Sequence, residues 1–491
     1  MNFAFTQTDF FVLKPAILLC LFGCGILITD FFIDVRQKFF NAITALIGLG
    51  FTAYAVWQQQ SFLRANGLAE LTGLSGAVTV DGFGIFFDWI FLIATALAVI
   101  ISTRYLEIEQ EHHGEYYALL LFAQTGMVFL ATGAELVTLF IGLELMALSF
   151  YVMVGFLRGD KRSNEAAMKY LLLGAFSSGL LAYGFSIFFG ISGSTRLGDI
   201  ARAIAGRDPR DPLVFLAMAT TGVGLFFKIA AAPFHMWAPD AYEGAPTTVT
   251  AYLSVASKAA SFAFLLRIFQ VPLESMRATW EPLVAAVALL TMTLGNLAAI
   301  SQTNIKRLLA YSSISHAGYI LLGLVSGNQT GLKGIAVYIL VYTFMNFGAF
   351  TIVVAMRNKN IIGDEIDDMS GLMFKHPTYA VLMLVFLLSL AGIPPTAGFL
   401  GKYYIFLSLI QTQHYYLAVF AALYVAVALY YYFRIVKVMF VSEEAAAPVE
   451  LSDSLGVRLA LGVTAAFTVL IGVYPEPFLQ MAQRSLFAAL R

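Results

Sequence analysis

A chain of 491 residues that is 59% hydrophobic and only 12% charged cannot close as an ordinary water-soluble globule, in which about a quarter of the residues carry charge. It reads as an integral membrane protein. The formal net charge of −1 excludes a strongly basic nucleic-acid binder. Cys20 and Cys24 are the two cysteines of the chain. Lying four apart in the first apolar segment, they share a helix face, and no Cys/His cluster completes a zinc or iron–sulfur ligand set around them.

Met1 to Gln7 carries no positive charge, and the first apolar run lacks a small-x-small exit. A retained first transmembrane helix is therefore expected rather than a cleaved signal. Apolar runs of spanning length fall near 10–30, 39–57, 82–102, 116–133, 135–157, 168–190, 212–235, 247–270, 282–301, 307–325, 332–356, 377–410, 415–440 and 456–475. They predict an all-α integral membrane protein of about fourteen transmembrane helices. The longest connections, near 58–81, 191–211, 357–376 and 441–455, leave room only for hairpins or short helices. The chain thus reads as one polytopic membrane domain over 1–491, with N-terminal helices 1–3 over 10–115 and a C-terminal helix and tail over 456–491.

An even number of spans puts both termini on one side. The loops holding Lys161, Arg162, Lys306 and Arg307 carry more basic residues than the opposite set, which holds Arg196, Arg202, Arg267 and the termini. That bias places both termini on the non-cytoplasmic side of the cell inner (plasma) membrane. No G-x-x-x-x-G-K-[ST] loop and no strand followed by G-x-G-x-x-G occurs, which excludes ATP-driven transport and direct NADH binding by this chain.

Four lysine and glutamate side chains sit in the middle of apolar stretches: Glu144 in LFIGLELMALSFYV, Lys228 in VGLFFKIAAAPF, Lys258 in VTAYLSVASKAASFAFLL and Lys402 in AGIPPTAGFLGKYYIF. A charge near the bilayer centre costs at least ~2.5–3.5 kcal/mol, so such residues face a protein or water-filled interior and mark ion paths. Glu144 has at least eight uncharged residues on each side, and Lys228, the nearest deep cation in sequence, is its expected partner. Lys258 and Lys402 have no carboxylate nearby in sequence; a buried lysine can take and release a proton near working pH. His316, inside the tenth span, and His235, beside Trp237, Asp240 and Glu243, could relay protons through either ring nitrogen. Either could equally bind a backbone carbonyl.

Lys228 precedes Pro233 by five residues, whereas Lys402 follows Pro394 and Pro395. Proline removes a backbone donor and crowds the preceding turn, so both helices should be interrupted. Interrupted helices in corresponding places of two halves point to an inverted-repeat transporter. The reversed order of charge and break fits halves of opposite topology.

The stretch FFKIAAAPFHMWAPDAYEGAPTTVTAYLSVASKAASFAFLLRIF at 226–269 resembles the antiporter-like membrane subunits of respiratory complex I. So do GNLAAISQTNIKRLLAYSSISHAGYILLG at 295–323 and LAGIPPTAGFLGKYYIF at 390–406. Within that family, lysine at 402 fits the N or L type, the M type being expected to carry glutamate there. The chain ends soon after the fourteenth span, without the lateral helix expected of the L type. The N type, counterpart of mitochondrial subunit 2, is therefore expected.

The resemblance implies two inverted five-helix repeats, spans 4–8 over 116–270 and spans 9–13 over 282–440, each with a broken helix. It implies that Glu144 and Lys228 gate a half-channel, that Lys258 is a central proton carrier, and that Lys402 feeds an exit. It implies no cofactor on this chain, with NADH, FMN, iron–sulfur clusters and quinone on partner subunits. The implied partners are other membrane-arm subunits, including a neighbouring subunit M and small subunit K, and lipid. The residues alone leave open a subunit of a multisubunit Na+/H+ antiporter, one of a membrane-bound hydrogenase, and a scaffold whose charges are structural.

Overall fold

The computed structural model describes residues 5–34, 37–208, 210–357, 363–441 and 451–489. Each apolar run is helical. In chain order come α1 (Gln7–Asp30), α2 (Phe39–Asn66), the hairpin β1 (Glu70–Gly73) and β2 (Val78–Asp81), and α3 (Gly82–Glu109). Next are α4 (Gly114–Thr132), α5 (Leu136–Val154), α6 (Lys161–Ser192), α7 (Leu197–Ala205), α8 (Pro212–Lys228) and α9 (Trp237–Gly244). They are followed by α10 (Thr247–Tyr252), α11 (Lys258–Gln270), α12 (Arg277–Ile300), α13 (Ile305–Ser326), α14 (Gln329–Met356) and α15 (Leu372–Lys375). The chain closes with α16 (Pro377–Ala391), α17 (Ala397–Gln411), α18 (Tyr415–Val441), α19 (Leu455–Val473) and α20 (Glu476–Ala489).

Eleven helical stretches are long and apolar enough to cross a membrane. α4 and the two interrupted spans, α8–α9 and α16–α17, bring the count to the expected fourteen among the described residues. Several helices outrun their apolar runs, because polar end turns continue the helix beyond the hydropathy signal. The predicted connections hold what their lengths allow: the β1–β2 hairpin, pairing Glu70 with Asp81 and Gly73 with Val78, and the short helices α7 and α15. The terminal residues 1–4 and 490–491, and 442–450 of the last long connection, lie outside the described residues.

Burial sorts the helices into a centre and a rim. The apolar stretches of α10–α11 and α14 are wholly buried, whereas only 28% of that of α18 is covered. A helix apolar on every side needs neighbours on every side. α14 finds them in α10, α13, α16, α17 and α19. In lipid such contacts rest on close packing rather than on water exclusion, which favours small residues at crossings. α12 and α13 meet this way: a Cβ on Gly295 would stand 2.7 Å from Ser315 N, and one on Gly318 would stand 2.9 Å from Ala288 O.

Both helix breaks fall where the prolines place them. They sit in the fourth span of spans 4–8 and in the fourth span of spans 9–13. Two of the basic residues expected in loops are instead buried inside helices. Arg267 in α11 and Lys306 in α13 are 7% and 3% exposed, because each has found buried acceptors near a helix end.

Candidate functional site

α8 ends on Lys228, and residues 229–236 then leave helical geometry, with Ala230 at φ +57°. The freed backbone finds partners, as membrane depth requires. Ala232 N donates to Thr291 Oγ1 at 2.9 Å, and Trp237 Nε1 donates to Phe227 O at 2.8 Å. Lys228 is buried. Its Nζ donates to the Tyr151 hydroxyl at 3.5 Å and lies 5.9 and 5.7 Å from the Tyr151 and Phe227 ring centres, within cation–π reach.

Glu144 stands two turns before Tyr151 on the same face of α5. Its charge bears on Lys228, but the expected ion pair is not closed: Lys228 contacts Tyr151 instead, and Glu144 Oε1 is buried without a hydrogen-bond partner. Nor is Glu144 interior. It is half-buried, at the edge of an exposed α5 stripe of Val137, Ile141, Leu148 and Val152. Uncharged flanks fix a residue's depth in the membrane, not the side of the helix it occupies, so the sequence could not distinguish the two.

Lys258 follows a single π-helical turn, Leu253–Ser257, inside an otherwise continuous span; such turns often mark functional positions. Its Nζ donates to Ser313 O at 2.7 Å and to Ser313 Oγ, which also accepts from Tyr342 OH at 2.7 Å. A cavity of about 10 Å³ is lined by Lys258, Ser313, His316 and Tyr342, about the volume of one water.

His316 lies one turn beyond Ser313 and is buried. Its Nδ1 is 2.6 Å from Tyr338 OH and its Nε2 is 3.2 Å from Tyr432 OH. A hydroxyl can donate or accept, so either tautomer is satisfied in place. His316 shares the small cavity with Lys258 on one side, and on the other its ring centre is 6.5 Å from that of Tyr319, over which Lys402 lies, so it stands between the two lysines.

Lys402 caps the other break. Its Nζ donates to Leu390 O at 3.0 Å and Ala391 O at 2.8 Å, the last carbonyls of α16, and lies 5.1 Å from the Tyr319 ring centre. A cation there satisfies orphan acceptors and meets the negative end of the helix dipole. Gly392 makes the approach possible: it sits at φ +86°, and a Cβ on it would stand 2.8 Å from Lys402 Cδ. Gly392→Ala should therefore cost at least ~1–2 kcal/mol through its left-handed backbone alone, and more through displacement of Lys402. A lower thermal-inactivation temperature of the assembled complex checks it.

The structure does not bring His235 into this line. It is half-buried in the first break, its Nδ1 is without a partner, and no hydrogen bond or ion pair joins it to the lysines. At the end of the bundle holding the α4 and α10 N-termini are two cavities of about 290 Å³ each. Arg307 bonds Asp240 at 2.8 Å and Glu243 at 2.7 Å beside them. Lys306 donates to Ala245 O at 2.8 Å and lies 3.8 Å from Asp364 Oδ2. Burial pushes the Asp364 carboxyl up, against the pull of Lys306. A further cavity of about 720 Å³, between α2, α3 and α20, borders none of the four intramembrane charges.

Tyr151, Ser313, Tyr338, Tyr342 and Tyr432 were not anticipated. The paired serines of LAYSSISHAGY were the available signal, since they precede a histidine at helical spacing. As for metals, no group of three or more His, Cys, Asp or Glu side chains is arranged to hold an ion among the described residues.

Residues 133–429 match the family model described as NADH:quinone oxidoreductase/Mrp antiporter, TM. The chain is 66% identical to NADH-quinone oxidoreductase subunit N 2 of Solibacter usitatus, over 98% of each chain. It is 53% identical to subunit N 1 of Koribacter versatilis, over 98% of this chain and 96% of that one. Among solved structures it resembles a chain of respiratory complex I from Thermus thermophilus, at TM-score 0.79 and 30% identity, covering 96% of this chain and 99% of that one. A chain of the Mrp complex from Dietzia sp. aligns at TM-score 0.85 with 19% identity over 99% of this chain and 97% of that one; that likeness is one of fold.

Proposed function

Because this chain belongs to the subunit N family of NADH-quinone oxidoreductases, the antiporter-like subunits of the complex I membrane arm, we propose that it passes protons along Lys228, Lys258, His316 and Lys402. Glu144 modulates the first lysine, and redox chemistry in partner subunits drives the transfer. It is a multi-pass membrane protein and a subunit of an oxidoreductase complex, with other complex I subunits as its partners.

The observation that carries the relay is His316, held by two hydroxyls between two lysines that have no carboxylate in contact. Two unit charges about 4 Å apart interact by about 4 kcal/mol at an effective dielectric near 20. Since one pKa unit is about 1.4 kcal/mol, moving one lysine's charge toward the next can force out its proton. A structural role explains this arrangement less well, because apolar packing can replace buried charges at little loss.

In the same reading, 116–270 and 282–440 are the inverted repeats, and subunits M and K flank the chain in the cell inner membrane. Both termini are outside the cytoplasm, and NADH, FMN, iron–sulfur clusters and quinone belong to partners. The loop charge bias and the absence of nucleotide and cluster motifs in the sequence support these parts. Solubilised alone, the chain should oxidise no NADH and show no flavin or iron–sulfur absorbance. A chromophore in the pure subunit would contradict the division of labour.

The relay is tested with Lys228→Ala and Glu144→Ala in the whole complex. Both should assemble, with proton pumping and coupled quinone reduction reduced. The lysine variant should lose more, because Glu144 touches the line only through its field. Normal pumping by fully assembled Lys228→Ala complex would remove that residue from the path.

A further inference from the structure

Counting from Asp81, the residue that caps its N-terminus, α3 carries a polar residue at every seventh position: Asp88, Thr95 and Ser102 follow. Seven residues are nearly two full turns, so all four share one face and follow one another at about 10 Å. All four are at most 2% exposed. Such a row is costly in an apolar helix unless each member is partnered.

Three members are. Ser102 Oγ is 2.9 Å from Tyr116 OH, which is 2.8 Å from Thr248 Oγ1. Thr95 Oγ1 is 2.9 Å from Tyr252 OH, one turn along from Thr248. Asp81 is bound by Arg267, whose Nη1 lies 2.8 Å from Oδ2 and whose Nη2 donates to Oδ1 at 2.9 Å. One turn past Ser102, Tyr105 OH accepts from Thr247 N at 3.2 Å. Tyr105 also borders the cavity shared with Lys306 and Asp364.

Asp88 is the exception: its Oδ1 is buried with no partner. The charges bearing on it are Asp81 and Arg267, and Arg267 is already committed to Asp81. An ionised Asp88 would be a buried charge with no cation of its own in contact, which is costly in an apolar helix.

α4 supplies the facing wall. Leu120 O and Met127 Sδ approach Tyr252 OH at 3.4 and 4.0 Å, and Ala131 O accepts from Arg267 Nε at 3.0 Å. Gln124 lies on that same face between them, fully buried, with both amide atoms unpartnered. Asp88 and Gln124 thus leave buried polar atoms without partners on two helices that pack against each other, α3 and α4. Buried polar atoms left over on both walls call for hydrogen-bonding occupants of water size.

We propose that Asp88 is a proton-carrying residue on a transverse path along α3, beside the lysine line. The path leads from the cavity at Tyr105 through the Ser102–Tyr116–Thr248 and Thr95–Tyr252 hydroxyl groups to Asp88, and leaves past Asp81–Arg267 at the opposite end of the bundle. It rests on the reading of this chain as a proton-translocating subunit, and it adds the route by which a proton crosses the membrane rather than moving within its plane.

The test uses the whole complex in liposomes, with proton uptake read by a pH-sensitive dye during NADH oxidation. Asp88→Asn keeps the shape of the side chain but removes its exchangeable proton. Loss of uptake at unchanged complex abundance, with recovery in Asp88→Glu, is the expected result. An assembled Asp88→Asn complex that pumps as wild type overturns the proposal.

Should Asp88→Asn not assemble, dicyclohexylcarbodiimide on the wild-type complex decides. This apolar reagent modifies protonated carboxyls, so an adduct on Asp88 accompanied by lost uptake supports the path. No adduct, or an adduct without loss, ends it. Lys258→Met measured alongside separates the two readings: if it loses uptake while Asp88→Asn does not, only the α3 path fails. If neither does, the translocating role fails as well.

Discussion

Lys258→Met should abolish proton transfer through this subunit while leaving the complex assembled. Lys258 Nζ is anchored on Ser313 O and Oγ and borders the small cavity shared with His316 and Tyr342. Methionine fills a similar volume with no proton site, and swaps that conserve volume usually cost under about 1.5 kcal/mol. The lost donor adds about 1–3 kcal/mol for the polar group left short of a partner. Part of that is offset, because Tyr342 OH still donates to Ser313 Oγ at 2.7 Å, and because the penalty of holding an ammonium away from water disappears. Stability thus changes little in either direction. The chemical loss is large, since no other lysine, histidine or carboxyl borders that pocket to load His316 with a proton. Proton uptake per NADH oxidised, measured at matched complex abundance, checks it. Unimpaired uptake would show that the line does not run through Lys258.

The spans were readable because lipid imposes one strong demand, a helix long and apolar enough to cross, and eleven of the fourteen runs meet it as unbroken helices. The two breaks were readable because proline removes a specific hydrogen bond, so their positions need no tertiary information. Facing is another matter. Hydropathy gave the depth of Glu144 but not its side of α5, and it gave Lys306 and Arg267 a loop position because both lie near helix ends. Their acceptors, Ala245 O and Asp81, come from distant segments and leave no local trace.

Asp88 was passed over for a related reason. Seven residues inside its apolar run, it reads as a side chain able to reach the membrane surface, and only the packing of other helices against α3 encloses it. The hydroxyls around His316 were illegible individually. The chain has 23 tyrosines, and sequence does not say which few converge on one imidazole. The lysines themselves were found because a deep ammonium is rare enough to need a reason.

Lys402→Glu and Lys402→Met should differ, and Leu390 O and Ala391 O explain why. Both carbonyls accept from Nζ, so any replacement faces two acceptors at the negative end of α16. A carboxylate would be repelled there, but the neutral acid can donate one hydrogen bond and remains able to exchange a proton. Glutamate should therefore retain part of the proton transfer, with the path operating through a neutral rather than a cationic resting form. Methionine donates nothing. It leaves both carbonyls unsatisfied, at about 1–3 kcal/mol each, and removes the proton site, so transfer should fall to background and the complex should inactivate at lower temperature. A purely structural lysine predicts a different pattern. Glutamate would then be at least as damaging as methionine to assembly, and proton transfer would follow assembly in both variants. Measuring complex abundance and proton uptake for the pair separates the two cases, and a methionine variant that pumps normally would end the assignment of Lys402 to the relay.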